Sequence, residues 1–187
     1  MSESETDGVG QTGGVDGTQG TPEGIGLAAF NGLPGGRARA ALLACCRAER
    51  WAAQVADGRP YPSLAALLTE AAAALTDGDV TEALAGHPRI GQAPAAAHSS
   101  WSRSEQSGVA SAGGQVRADL AAGNRAYEDR FGHIYLVCAS GRTAPELLRI
   151  LRDRLANDPA AERQVMRGEL IKINELRLAR LIGEEPA

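Results

Sequence analysis

Aromatic residues are nearly absent: two Phe, two Trp and three Tyr make up 4% of the 187-residue chain. A core built from this sequence must therefore come from Ala, Leu, Val and Ile. At 43% hydrophobic content there is enough of them for one domain. No apolar run reaches the ~18 residues of a membrane span, and the N-terminus lacks the basic-then-apolar order of a secretory signal. Lysine is almost missing as well, Lys172 being the only one. Cysteine is limited to Cys45, Cys46 and Cys138, an odd number with two adjacent. That usage predicts reduced thiols in a cytoplasmic protein rather than a disulfide framework.

Charge of one sign is missing locally. Residues 1–24 carry Glu3, Glu5, Asp7, Asp16 and Glu23 without a single base. The formal net charge of −4 comes from that stretch, because the rest holds 18 acidic against 19 basic residues. A balance so close to neutral is no nucleic-acid footprint, but it is compatible with a small anionic ligand. The same stretch is Gly, Thr and acid with almost nothing to bury, which predicts a disordered tail. Its literal G-x-G-x-x-G, Gly8 to Gly13, follows no strand and opens no helix, so the dinucleotide reading fails on context.

What remains is helical in period. PGGRARAALLACCRAERWAAQVADG reads as one helix from Pro34 to Gly58, with Leu42, Leu43, Cys46, Trp51 and Val55 as its apolar positions. SLAALLTEAAAAL is capped by Ser63. DVTEALAGHP is a short helix with Asp79 at its cap and Glu82 three residues on, ending at Gly86 ahead of Pro88. Residues 102–132 read as a long helix with a weak point at Gly113–Gly114. TAPELLRILRDRLAND opens with a Thr143/Glu146 capping box, and Asp158–Pro159 starts a last helix running through Leu181. Only HIYLVCAS, 133–140, looks strand-like, and one such run makes no sheet, so it is expected as a piece buried among helices. The expected class is all-α: a single-domain bundle of about eight short and medium helices over 25–183, between the tail and a C-terminal end at 184–187.

The sequence contains no G-x-S-x-G, H-E-x-x-H, C-x-x-C or phosphate loop. His87, His98 and His133 match no standard metal spacing, so any catalysis is expected to need no metal and no cofactor. Three features stand out. His87 in HPRIG either decorates a helix-ending turn, where the helix dipole favours it, or is aimed by that turn for proton transfer. Ser102 and Glu105 in SRSEQ form a capping box. The helix start they mark would also offer free N–H groups to an anion, with the Gln106 amide beside them. Arg177 lies four, seven and eleven residues after Ile173, Leu170 and Met166, in the middle of an apolar stripe. A guanidinium there is either a snorkelling structural group or faces an anionic pocket.

Six pieces, in this order, carry a resemblance: FNGLP (30–34), HPRIG (87–91), SRSEQSG (102–108), NRAYEDRFGHIYLVCASGR (124–142), ELLRILRDRLAND (146–158) and ELIKINELRLARL (169–181). Over Phe30 to Leu181 the chain resembles the 2-oxo-4-hydroxy-4-carboxy-5-ureidoimidazoline (OHCU) decarboxylase family, which ends the route from urate to (S)-allantoin. The resemblance implies an all-helical, cofactor-independent lyase, commonly a homodimer, acting on the small anionic substrate OHCU. It implies His87, Glu105 and Arg177 as catalytic residues, and Pro88, Ser102 and Gln106 as substrate contacts. It further implies that the Tyr135, Leu136, Val137, Cys138, Ala139 run holds substrate through its backbone. Two other readings stay open: a related helical lyase or hydrolase on another anionic ureido compound, and a non-catalytic helical partner-binding protein.

Overall fold

The computed structural model describes residues 24–87, 89–90 and 112–184. The expectations for the acidic tail, Pro88, Ser102, Glu105 and Gln106 lie outside the described residues. Among the described residues stand eight helices and no strand: α1 (Leu27–Gly32), α2 (Gly35–Cys45), α3 (Glu49–Asp57), α4 (Leu64–Ala74), α5 (Asp77–Ala85), α6 (Gly114–Phe131), α7 (Ala144–Arg154) and α8 (Pro159–Ile182). The all-α expectation holds. None of these helices is long and apolar enough to cross a membrane.

The single helix expected over Pro34–Gly58 is two. Cys46 and Ala48 are extended, with φ/ψ of −141°/117° and −133°/110°, and no Gly or Pro marks the break. The reason lies in the apolar spacing. Leu42 and Cys46 are four residues apart, as are Trp51 and Val55. The step from Cys46 to Trp51 is five, so a continuous helix would turn Trp51 about 140° from Cys46 and put the two pairs on opposite faces. Breaking the helix lets Leu42, Cys46, Trp51 and Val55 all reach 0% exposure in one core. Buried Trp51 donates its indole N–H to the Ala71 carbonyl at 2.7 Å, tying α3 to α4.

The caps are local and mostly legible. Ser63 accepts from the Ala66 N–H, as expected. The Thr143/Glu146 box opens α7, and Asp158 accepts from the N–H groups of Ala160 and Ala161 at the start of α8. The α5 cap is a correction: Thr76 is the N-cap and Asp79 its N3 partner, so the helix begins three residues earlier than the Asp79 reading required. Asp79 is 3% exposed and is bonded by the Arg50 guanidinium from α3. Burial opposes its charge, but the bonds from Arg50 and Thr76 outweigh that and hold its pKa below the usual carboxylate range. α5 stops at Gly86 as expected. At the Gly113–Gly114 weak point the described helix begins outright, Gly113 being a non-helical N-cap with ψ 155°.

Apolar side chains gather in two clusters. The first is built on α1–α5 and α8 and includes Phe30, Leu42, Trp51, Leu67 and Leu170; the second joins α6 and α7 through Leu120, Tyr127, Leu147 and Leu151. Residues 135–139 run between them. Leu136 and Cys138 belong to the first cluster, and Tyr135, Val137 and Ala139 to the second. This two-residue alternation is that of an extended chain. The strand-like run is therefore a seam between two helical cores. All three cysteines are buried and none forms a disulfide among the described residues.

The N-terminal end of the described fold is fastened to the last helix. Gly24, Ile25 and Gly26 donate to the carbonyls of Arg180, Leu181 and Ile182 at 2.9–3.0 Å. Gly183 makes this possible: it turns α8 off with φ +79°, and a Cβ there would meet the Gly24 Cα at 2.7 Å. Gly183→Ala combines a left-handed backbone with a backbone collision. It is expected to destabilise the fold by about 1–3 kcal/mol, read as a lowered melting temperature. Gly35→Ala, with open space around it, serves as the control and should be neutral.

Candidate active site

The HPRIG turn is held on both sides. On its α5 side, the N–H groups of Gly86 and His87 donate to the Ala83 and Leu84 carbonyls, both at 3.1 Å. The His87 ring continues this, with Nδ1 2.9 Å from the Ala83 carbonyl. A carbonyl only accepts, so Nδ1 carries the proton and the neutral ring presents Nε2 as its basic nitrogen. Nε2 is buried. The bare helix-dipole reading of His87 explains none of this second-side anchoring, which comes from α6. Arg89 meets Glu128 twice, Nε to Oε1 at 2.6 Å and Nη2 to Oε2 at 2.7 Å, and holds that carboxyl below its usual pKa. The Ile90 side chain enters the second cluster, and its carbonyl accepts from Asn124 Nδ2 at 2.8 Å.

Arg177 sits where the stripe places it. Met166, Leu170, Ile173 and Arg177 are 5, 0, 5 and 5% exposed. That burial rules out a snorkelling head group. Its Nη1 donates to the Cys45 carbonyl at 2.9 Å, at the C-terminal end of α2. Arg180, three residues on, is half-buried. Asn174, one turn before Arg177 and 4% exposed, hydrogen-bonds the Cys46 thiol. Burial pushes that thiol up to about 11 even though Asn174 and Arg177 both favour its anion, so it is a neutral packing group and no nucleophile.

The turn between α2 and α3 joins these parts. Cys45 receives Arg177, and two residues on the Arg47 side chain crosses Gly86, where a Cβ would approach its Cδ to 2.7 Å. Gly86 is thus required by a close approach, and the residue after it is His87. A cleft of about 400 Å³ opens here, lined by Leu43, Arg47, Glu49, Glu82, Ala85 and Gly86. The turn thus meets Arg177 through Cys45 and, through Arg47, the residue that precedes His87.

The 135–139 seam is clamped by charged side chains that the sequence reading missed. Arg154 Nη1 donates to the Leu136 carbonyl at 2.7 Å and Arg142 Nε to the Cys138 carbonyl at 3.0 Å. Glu169 accepts from the Cys138 N–H at 2.8 Å. Burial opposes the Glu169 charge, but Lys172 at 2.7 Å and the Cys138 N–H outweigh it and keep the pKa low. Backbone groups of alternate residues in an extended chain point the same way. The groups of Val137 therefore face away from those of Leu136 and Cys138. A signal for Arg154 was present: it follows Leu147 and Leu151 by seven and three residues, the kind of stripe that singled out Arg177. Asn124 and Glu128, four apart on α6, were equally readable as one face. Among the described residues no group of three His, Cys, Asp or Glu is placed to hold a metal ion.

A family profile described as OHCU decarboxylase matches residues 31–179. The uric acid degradation bifunctional protein TTL of Arabidopsis thaliana is 35% identical over 149 residues, covering 75% of this chain and 46% of that protein. The 2-oxo-4-hydroxy-4-carboxy-5-ureidoimidazoline decarboxylase of Amia calva is 42% identical over 59 residues, covering 32% of this chain and 34% of that protein. The chain thus spans less than half the length of these curated relatives. A crystal structure of OHCU decarboxylase in the presence of (S)-allantoin matches with a TM-score of 0.67 at 32% identity, over 76% of this chain and 96% of that one. An (S)-allantoin synthase structure matches with a TM-score of 0.64 at 17% identity, over 84% of this chain and 54% of that one, a likeness of fold alone.

Proposed function

This chain belongs to the OHCU decarboxylase family, and from that premise we propose that it decarboxylates OHCU to (S)-allantoin in urate degradation. The observation that supports this most directly is the pairing around the α2–α3 turn. The turn that takes the buried Arg177 at Cys45 also crosses Gly86 with Arg47, and the next residue is a histidine whose Nδ1 is held by the Ala83 carbonyl.

Loss of carbon dioxide from C4 breaks the bond to the carboxylate and leaves its electron pair in the ring until a proton is added to one face. His87 Nε2 accepts the proton of the C4 hydroxyl as the carboxylate departs. Arg177 stabilises the oxyanion charge that develops, which a cation in a desolvated site does far better than one in water. Val137, whose backbone groups face away from the Arg154, Arg142 and Glu169 clamp, offers N–H and C=O to the ureido and ring amides. The family resemblance adds Glu105 as the carboxylate that orients the ring or delivers the final proton, with Pro88, Ser102 and Gln106 as contacts. It also implies a homodimer, which light scattering of the purified chain tests, while the cysteine usage points to a cytoplasmic setting.

OHCU decays without help, and the unaided reaction has no chiral template. Freshly generated OHCU mixed with the protein is therefore expected to disappear faster than in buffer and to give allantoin with a circular dichroism signal of one sign. A racemic product formed at the unaided rate would sink the assignment.

A further inference from the structure

We infer that the Arg89–Glu128 ion pair, together with Asn124, positions His87 for catalysis from a distance, without touching substrate. The inference rests on the reading of His87 as the proton-transferring residue.

The HPRIG turn is the bridge between the two apolar clusters. Its upstream end is the last turn of α5, packed into the first cluster by Ala83 and Leu84; Ile90 packs into the second. Among the described residues of the turn no hydrogen bond joins its two ends, and the side chains that grip it from outside make that link. The described grip all comes from α6. Asn124 and Glu128 are one helical turn apart on the same face. One takes the Ile90 carbonyl, the other both nitrogens of Arg89. A bidentate carboxylate–guanidinium contact fixes direction as well as distance. It also commits the Arg89 guanidinium to α6, which argues against a role for Arg89 on the substrate carboxylate.

The pair has the profile of a positioning device. Its side chains are 43% and 27% exposed, and an ion pair so accessible adds little to stability. A catalytic base, by contrast, is sensitive to displacements well under the size of an atom. The effect of breaking the pair should therefore appear in rate and hardly at all in melting temperature.

The test uses the full chain with Arg89→Ala, Glu128→Ala, the reversed pair Arg89→Glu/Glu128→Arg, and His87→Ala for reference. Each single change of the pair is expected to lower kcat about tenfold, with KM within about twofold and the melting temperature within a few degrees of the parent. The reversed pair restores the tether with opposite polarity and should recover kcat to within about threefold of the parent. A reversed pair no faster than either single variant overturns the inference. So does unchanged kcat in both singles, or a rise in KM alone, which would put Arg89 on the substrate. His87→Ala separates the two levels. If it stays fully active, the reading of His87 has failed. If it is inactive while the pair variants run at the parental rate, only the positioning inference has.

Discussion

Arg177→Leu is expected to lower turnover by about 10²–10³-fold while moving the melting temperature by no more than a few degrees. The rate loss is the size seen when one preorganised charge-stabilising donor is removed from a desolvated site. The small stability change follows from two opposed terms. Leucine fits the stripe of Met166, Leu170 and Ile173, all at most 5% exposed, and gains about 1.5–3 kcal/mol by burial. Against that, the Cys45 carbonyl loses the bond from Nη1, a loss of about 1–3 kcal/mol for a buried acceptor. Steady-state kinetics on fresh OHCU and a thermal melt of the same preparation check both halves. A leucine variant with the parental kcat would make Arg177 a structural cation. One that fails to fold would show that its bond to α2 outweighs everything the stripe gains.

That prediction could be framed from the sequence because Arg177 violates a pattern, and violations of a strong local pattern are visible in one dimension. The same holds for most caps: Ser63, the Thr143/Glu146 box and Asp158 bond their own helix starts within three residues. Where the sequence misled, the deciding contact was distant. Nothing within residues 44–48 is a helix breaker; the α2–α3 break is forced by where Trp51 and Val55 must go. Asp79 reads as a cap residue, yet Thr76 takes that place while Asp79 answers both to Thr76 and to Arg50 on another helix.

The candidate site divides in the same way. His87 and Arg177 were legible because a turn before proline and an apolar stripe each single out one residue. What was not legible is which distant partners hold them in place. Arg89 reaches Glu128 across 39 positions, Asn124 reaches Ile90 across 34, and Glu169 reaches Cys138 across 31. Each of these side chains looks like ordinary solvated polarity in its own segment. The extended seam shows the limit well. HIYLVCAS is recognisable as buried, but which of its backbone groups are already taken depends on arginines and a glutamate from three other places in the chain.

Breaking the Arg154–Glu162 pair is expected to be the most destabilising change in the fold. Glu162 is 0% and Arg154 5% exposed, so both charges are out of water. Glu162 Oε1 accepts from Arg154 and from the Tyr127 hydroxyl, and Oε2 accepts from Asn157 Nδ2 at 2.7 Å. The Arg154 guanidinium also lies 5.7 and 4.9 Å from the ring centres of Tyr127 and Tyr135. Burial, and then the bond to Glu162, push the Tyr127 hydroxyl pKa far up, so it remains a donor throughout the working range. Glu162→Leu would strand a guanidinium among apolar groups. Removing one partner of a buried pair costs about 3–5 kcal/mol. At about 2–4 °C per kcal/mol for a chain of this size, the melting temperature should fall by about 6–20 °C. Arg154→Leu should cost a similar amount, because it orphans Glu162 and the Leu136 carbonyl together. The double variant Arg154→Leu/Glu162→Leu decides whether the pair is one unit. With both charges gone, its loss should be smaller than the sum of the singles by well over the ~0.5 kcal/mol scatter of independent sites. It should still not return to the parent, since Tyr127, Asn157 and the Leu136 carbonyl would lack their partners. Additive losses in thermal melts would mean that the two charges are stabilised separately. Parental activity in the double variant, measured well below its melting temperature, would show that the 135–139 seam keeps its shape without the Arg154 clamp.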